Sequence, residues 1–229
     1  METDIVTAIV MATMLEAKPF VLGMSLRQTR KIPFRLFQND GILLIISGIG
    51  KANAAMATAY SCLKFKPACI CNLGAAGATH SGYDLGEIFH IQKIVEPDRP
   101  DLKTGKPCVH KPDLLAGFKT TILATSDRAV LDPKERKAIS INADLIDMEG
   151  ASVVQACRTF KKNCYLFKFV SDTPDHTRDQ DIVNHIRLYR KKFYDFFTDS
   201  VRPVLPVPSA FSREKHAGAE VSPTSKSLK

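Results

Sequence analysis

The sequence predicts a single-domain α/β protein, a three-layer α/β/α arrangement around a mixed central sheet. Three observations lead there. Short β-rich runs alternate along the chain with helix-period segments, the pattern of a sheet covered on both faces. The 229 residues suffice for one ordinary domain with a sizeable core. With 45% hydrophobic and 24% charged residues the composition is that of a soluble globular chain, and no window reaches the roughly 18 uninterrupted apolar residues of a membrane span.

Taken in order, "IVTAIVMAT" (5–13) reads as the first strand and runs into "ATMLEAKPF", with Glu16 just beyond it. Two further strands follow, "FRLFQN" (34–39) and "ILLIIS" (42–47). A glycine-bearing turn in "SGIGKANAA" (47–55) then opens an alanine-rich helix over 51–65. "ACICNLG" (68–74) is a buried strand that places Cys69 and Cys71 on one face, and "NLGAAGATHSG" (72–82) reads as a second glycine-bearing turn. "EIFHIQKIV" (87–95) and "KTTILATS" (119–126) are strands, separated by the basic, proline-bearing loop "KTGKPCVHKPD" (103–113). "DPKERKAIS" carries a good helix start, with Asp132 as the cap, Pro133 at the first helical position and Glu135 three after the cap. In "LIDMEGASVVQAC" (145–157) a strand-like run gives way to a helix over 150–160. After the strand "CYLFKFVS" (164–171) comes a helix over 181–197, whose Ile182, Ile186, Tyr189, Phe193 and Phe196 make one apolar face. From Arg202 onward there are four prolines and no period, so the domain is expected over 1–201 and an extended or disordered tail over 202–229.

The formal charge of +8 narrows the function classes. Residues 202–229 hold five basic and two acidic side chains, leaving +5 over the rest, a mild excess without a basic stripe interleaved with aromatics. Nucleic-acid binding is not expected. The six cysteines show no second Cys or His pair at ligand spacing, so no metal site is expected, and a reducing compartment follows from thiols in apolar runs. Glu2 and Asp4 precede the first apolar run where a secretory signal wants a basic start, so the expected location is the cytoplasm, with no membrane association.

In sheets of this kind ligands bind beyond the carboxyl ends of the strands. Acids stand at three such ends: Glu16, the pair Asp147 and Glu149, and Asp172 beside Ser171. Taken singly, each reads first as a helix cap or a solvated turn residue, and Asp147 or Glu149 equally as a first-turn acid of the helix that follows. Converging on one pocket, their pKa values would be pushed apart, so that one acts as base and another as acid. That is the equipment for cleaving a glycosidic-type bond through an oxocarbenium-like transition state.

Read together, "SGIGKANAA", "NLGAAGA", "DMEGASVVQAC" and "FVSD" resemble the purine nucleoside phosphorylase superfamily, most closely its 5′-methylthioadenosine/S-adenosylhomocysteine nucleosidase branch. Futalosine-type nucleosidases of menaquinone synthesis share these motifs. The resemblance runs from the first strand to the helix ending near Phe197, and implies the phosphorylase/hydrolase-like fold. It implies that Glu16 activates the attacking water, that Glu149 holds the ribose hydroxyls with Met148 packed on the sugar, and that Asp172, supported by Ser171, protonates or hydrogen-bonds purine N7. Asp147, Ala75 and Val130 fall in the implied substrate-binding set. It further implies a homodimer, and a reaction without metal or organic cofactor.

The chain departs from the family pattern at four places. Ala75 replaces a serine, Asp147 is one methylene shorter than the usual glutamate, Lys168 stands for an arginine, and Ala129 aligns with a purine-stacking phenylalanine. These bear on the substrate more than on the reaction, and methylthioadenosine, adenosylhomocysteine, futalosine and its 6-amino form all stay open, as does adenine against hypoxanthine. Two rival readings remain. A phosphate-dependent phosphorylase would want an arginine and a serine where Asn72 and Ala75 stand. A non-catalytic nucleoside-binding protein would have no need of Glu16 and Asp172 together. His176 and the 103–113 loop read as solvated, and the Arg187–Lys192 cluster as an exposed helix face.

Overall fold

The computed structural model of the chain describes residues 5–176 and 178–206. Its first half comprises β1 (Thr7–Met11), α1 (Met14–Gly23), β2 (Arg27–Arg30), β3 (Arg35–Asn39), β4 (Ile42–Ile46), α2 (Lys51–Phe65) and β5 (Cys69–Ala78). The second comprises β6 (Ile88–Pro100), β7 (Pro107–His110), β8 (Thr120–Thr125), α3 (Pro133–Ile139), β9 (Leu145–Asp147), α4 (Gly150–Thr159), β10 (Asn163–Asp172) and α5 (Asp179–Phe196). Among the described residues no helix is long and apolar enough to cross a membrane.

The sheet is mixed, as expected, and half of it closes on itself. β5 pairs in parallel with β1 on one side and β10 on the other, and β1 pairs in parallel with β4. β10 also pairs antiparallel with β6, β6 and β8 run parallel, as do β8 and β9, and β9 returns antiparallel to β5. Five strands therefore form a ring, from which β1, β4, β3 and β2 extend as an open wing. Side chains alternate across each strand, so the sheet feeds two cores. Ile70, Leu166 and Val170 pack with α2 and α4, while Cys69, Cys71, Phe167 and Phe169 pack with Phe20 of α1 and Phe193 of α5. Each such buried aliphatic or aromatic side chain contributes about 1.5–3 kcal/mol. A smaller cluster of Val130, Ile139, Ala143 and Ile146 seats α3 against β8 and β9.

Several local expectations are corrected. "NLGAAGA" is no turn: β5 runs straight through it to Ala78. Its glycines serve by lacking a side chain. A Cβ on Gly74 would lie 2.8 Å from Glu16 Oε1, and one on Gly77 would lie 2.7 Å from Asp172 Oδ2. The other glycine segment is a true turn, with Gly48 at φ +86° and Gly50 at +101°. The loop expected over 103–113 contains β7, an antiparallel partner of β6.

Helix α1 lies where only the end of the first strand was read. Its signal was present as Thr13-x-x-Glu16, a capping box in which each partner satisfies the other's backbone N–H. Pro19 inside α1 cannot donate to the Leu15 carbonyl, and Arg190 of α5 does so instead, at 2.7 Å. Arg190 is thus drawn out of the otherwise exposed basic face of α5. The domain edge expected at residue 201 falls within a packed turn, because Arg202–Val204 is a 3₁₀ turn and Leu205 is buried in the α1/α5 core. Residues 207–229 of the expected tail lie outside the described residues.

Candidate active site

Three strand ends and two glycine segments meet at a cavity of about 170 Å³. All eight side chains singled out from the sequence line it. Glu16, Ala75 and Met148 stand with Asp147 and Glu149, and Ser171, Asp172 and Val130 lie at the other end. His176 and the 103–113 segment do not line it.

Glu16 is placed by the N-terminus of α1. Its Oε2 accepts from the Thr13 hydroxyl at 2.6 Å and the Thr13 N–H at 3.1 Å, and its Oε1 accepts from the Ala75 N–H at 2.9 Å. Glu16 is thus a helix-capping residue whose carboxylate also lines the cavity. The space it occupies over β5 exists because residue 74 is glycine.

The two acids of "DMEG" divide their work differently from what spacing suggested. Asp147 is the α4 capping group: its Oδ2 accepts the Gly150 N–H at 2.9 Å, and its Oδ1 accepts the Thr125 hydroxyl at 2.7 Å. Thr125 Oγ1 in turn accepts the Ala151 N–H at 3.1 Å. Lys168 Nζ completes the set 2.8 Å from Asp147 Oδ2. Both Asp147 oxygens are thus engaged by protein donors, although the residue lines the cavity.

Glu149 occupies the N-cap position of α4 without capping it. Only its Oε1 is held, by the Gly50 N–H of the glycine turn at 2.8 Å, and Oε2 makes no hydrogen bond to the described residues. Burial, reinforced by the Asp147 charge, pushes the Glu149 carboxyl up to about 7 against the opposing pull of Lys168.

Lys168 is 1% exposed. Burial alone would lower its pKa, but Asp147, Glu149 and Glu16 outweigh that and raise it, so the ammonium is the counter-ion of the acidic end. The register of β10 on β5 sets Lys168 opposite Gly74.

At the other end Asp172 is 2% exposed, and the same register sets it opposite Gly77. Its Oδ1 accepts the Ser171 hydroxyl at 2.6 Å, and its Oδ2 is ion-paired with Arg136 of α3. Arg136 was read from the sequence only as part of a helix, and no spacing signal links it to Asp172 36 residues later. Ile182 and Ile186, noted only as an apolar helix face, wall the same end of the cavity. Among the described residues no cluster of three His, Cys, Asp or Glu side chains is placed to hold a metal ion.

Comparison with known proteins shows the family and the fold. The model of the phosphorylase superfamily matches residues 25–119 and 113–202. An aminodeoxyfutalosine nucleosidase of Campylobacter jejuni is 25% identical over 162 residues, covering 61% of this chain and 71% of the relative. A 5′-methylthioadenosine/S-adenosylhomocysteine nucleosidase of Bacillus velezensis is 30% identical over 161 residues, 59% of this chain and 70% of the relative. The crystal structure of the Helicobacter pylori 5′-methylthioadenosine/S-adenosylhomocysteine nucleosidase with butyl-thio-DADMe-Immucillin-A superposes with a TM-score of 0.76 at 17% identity, covering 86% of this chain and 97% of that one, which shows a shared fold.

The Lys168 arrangement has a direct consequence for stability. Lys168→Met strands buried carboxylates without a counter-ion and is expected to cost about 3–5 kcal/mol. Adding Asp147→Asn to it should return part of that loss. Urea unfolding of the two variants checks both, and a Lys168→Met protein as stable as the wild type would remove the counter-ion role.

Proposed function

The chain belongs to the phosphorylase superfamily, and from that premise we propose that its cavity hydrolyses the N-glycosidic bond of a 5′-modified purine nucleoside, releasing the free purine. The observation that carries this reading is the convergence of Glu16, Glu149 and Asp172 on one cavity with different protein partners for each. The names of the curated relatives support the same chemistry. The substrate candidates are methylthioadenosine, adenosylhomocysteine, aminodeoxyfutalosine and futalosine.

In this reading the C1′–N9 bond breaks with its electron pair passing to the purine, while a water oxygen bonds to C1′ and gives its proton to Glu16. Hydrogen bonds from Thr13 and Ala75 orient Glu16 toward that water. Glu149, with one oxygen unengaged by protein, accepts from the ribose hydroxyls, and its charge lies close to the cationic sugar of the transition state. Met148 floors the sugar. Asp172, braced by Ser171, takes the purine N7 edge, where the departing base needs a proton or a hydrogen bond.

Hydrolysis is favoured over phosphorolysis by what surrounds Ala75. Its N–H is already on Glu16, Asn72 Nδ2 is turned to the Val10 carbonyl at 3.1 Å, and the Glu16 charge repels an anion. The six unpaired cysteines support a reducing, cytoplasmic setting. A homodimer is supported by Ile49, Met56 and Leu63. They recur at seven-residue spacing at and along α2 and are 56%, 55% and 65% exposed. Ile49 also lines the cavity, so a second copy on this face would border the site.

A purine-release assay over the four candidates and inosine, with and without phosphate, tests the reaction. Release independent of phosphate is expected, with Glu16→Gln and Asp172→Asn each lowering it by about 100-fold or more. Wild-type protein inert on every candidate would sink the reading, and phosphate-dependent release would turn it to phosphorolysis.

The Glu149 carboxyl gives a pH signature. Ribose binding needs it ionised, so kcat/KM should rise through about pH 7. Its folded-state pKa is raised, so its contribution to stability is present in acid and lost as the pH climbs through that same value. Glu149→Gln should flatten both trends, and a variant that keeps them would exclude Glu149 as their source.

The homodimer is tested by sedimentation: the wild type should run as a dimer and the Met56→Glu, Leu63→Glu double variant as a monomer. A monomeric wild type would exclude it.

A further inference from the structure

Arg136 lines the cavity beside Asp172, and the reaction described above does not use it; the other arginine on the lining, Arg128, is exposed and paired with Glu135. Arg136 is 1% exposed, and each of its nitrogens is engaged. Nε donates to the Val130 carbonyl at 2.8 Å, Nη1 donates to the Ala78 carbonyl at 2.9 Å, and Nη2 is ion-paired with Asp172 Oδ2. The place is cleared for it: a Cβ on Gly77 would stand 3.1 Å from Nη2 and 3.2 Å from Nη1. A guanidinium carries five N–H groups, so three bonds leave one N–H on each Nη.

The two kinds of purine differ at this edge. Adenine offers the N7 acceptor and the 6-amino donor, whereas a 6-oxopurine offers two acceptors, N7 and O6. A 6-amino group wants a free acceptor. Here Asp172 Oδ2 and the Val130 carbonyl already accept from Arg136, and Asp172 Oδ1 accepts from Ser171, so a 6-amino group would have to share an oxygen that is already engaged. The pair is neutral as a whole, and what Arg136 adds on its own side of it is N–H donors and the guanidinium's local positive charge. A 6-oxo group suits both, because the electron pair released from the C1′–N9 bond spreads over the purine toward O6, beside the guanidinium. The departed base then takes a proton from solvent, and Glu16 returns to solvent the one it took from the attacking water, so the reaction balances as nucleoside plus water to sugar plus neutral purine. An adenine leaving group, which needs a proton at N7, would build positive charge next to Arg136 instead.

Resting on the nucleosidase reading, we propose that Arg136 is a specificity-determining residue that makes this site select 6-oxopurine over 6-aminopurine nucleosides. The site thereby consumes a nucleoside that already carries a 6-oxo base, or one made so by a preceding deamination.

Two substrate pairs that differ only at purine position 6 test this: methylthioinosine against methylthioadenosine, and futalosine against aminodeoxyfutalosine. With the full chain, kcat/KM is expected to favour the 6-oxo member of an accepted pair by about 10- to 100-fold. Arg136→Gln should erase most of that ratio by lowering the 6-oxo value while leaving the 6-amino value equal or higher. A loss of packing alone would lower both members together. Arg136→Lys, which keeps the charge and loses the planar fork, should fall between, and it serves if the Gln variant fails to fold. Calorimetric binding of free hypoxanthine and free adenine is the readout independent of turnover, and hypoxanthine should bind more tightly. Absence of purine release with hypoxanthine still preferred would defeat the hydrolase reading and spare this one. A wild type that prefers the 6-amino member or adenine, that binds neither base, or whose preference survives in both variants overturns the proposal.

Discussion

A single buried ammonium makes the acidic end of this cavity tolerable. Lys168 stands within the sheet, 2.8 Å from Asp147 and close enough to Glu149 and Glu16 for both to raise its pKa. Taking any of these groups out of water is costly, and only mutual attraction with hydrogen bonds on the remaining lone pairs offsets that cost. Asp147 is the best compensated, with Thr125, Gly150 and Lys168 all on its oxygens. Glu149 is the least, which is why its carboxyl is pushed up to about 7. The stability of the site and the readiness of Glu149 to change its charge near neutral pH thus have one cause.

Each acid also belongs to the fold. Glu16 closes the capping box of α1, and Asp147 caps α4 in place of Glu149, which is left with one oxygen unengaged. The helix starts therefore set the positions of the cavity carboxyls with the accuracy of backbone hydrogen bonds. The shorter side chain of Asp147 fits this role. It reaches forward to the Gly150 N–H three residues on, and a Cβ at position 150 would come within 3.2 Å of its Oδ2. The glycines of β5 do the complementary work, because residues 74 and 77 remove the side chains that would fill the space of Glu16 and of the Asp172–Arg136 pair.

Much of this was legible in the chain. The strand runs, the alanine-rich helix over 51–65 and the Asp132 cap follow from local periodicity and capping chemistry, and they appear in the structure nearly as read. The three acidic strand ends were legible because open α/β sheets present ligands at carboxyl ends. Helix α1 was hidden by Pro19 and by the strand run before it, although "TMLE" carried its start. The glycines of "NLGAAGA" were read as a turn because glycine freedom and glycine vacancy look alike in a sequence.

Local pattern by itself determined the α/β class, the alternation of elements and the identity of the carboxylates that share the cavity. Tertiary structure alone decided which acid caps and which is left with a free oxygen, that Lys168 neutralises one end, and that Arg136 joins Asp172 at the other. The reason is physical. Periodicity and capping are set by neighbours within a few residues, whereas the partners of a buried charge are set by strand register. Here the register lays Gly74 beside Lys168 and Gly77 beside Asp172, across nearly a hundred residues of chain.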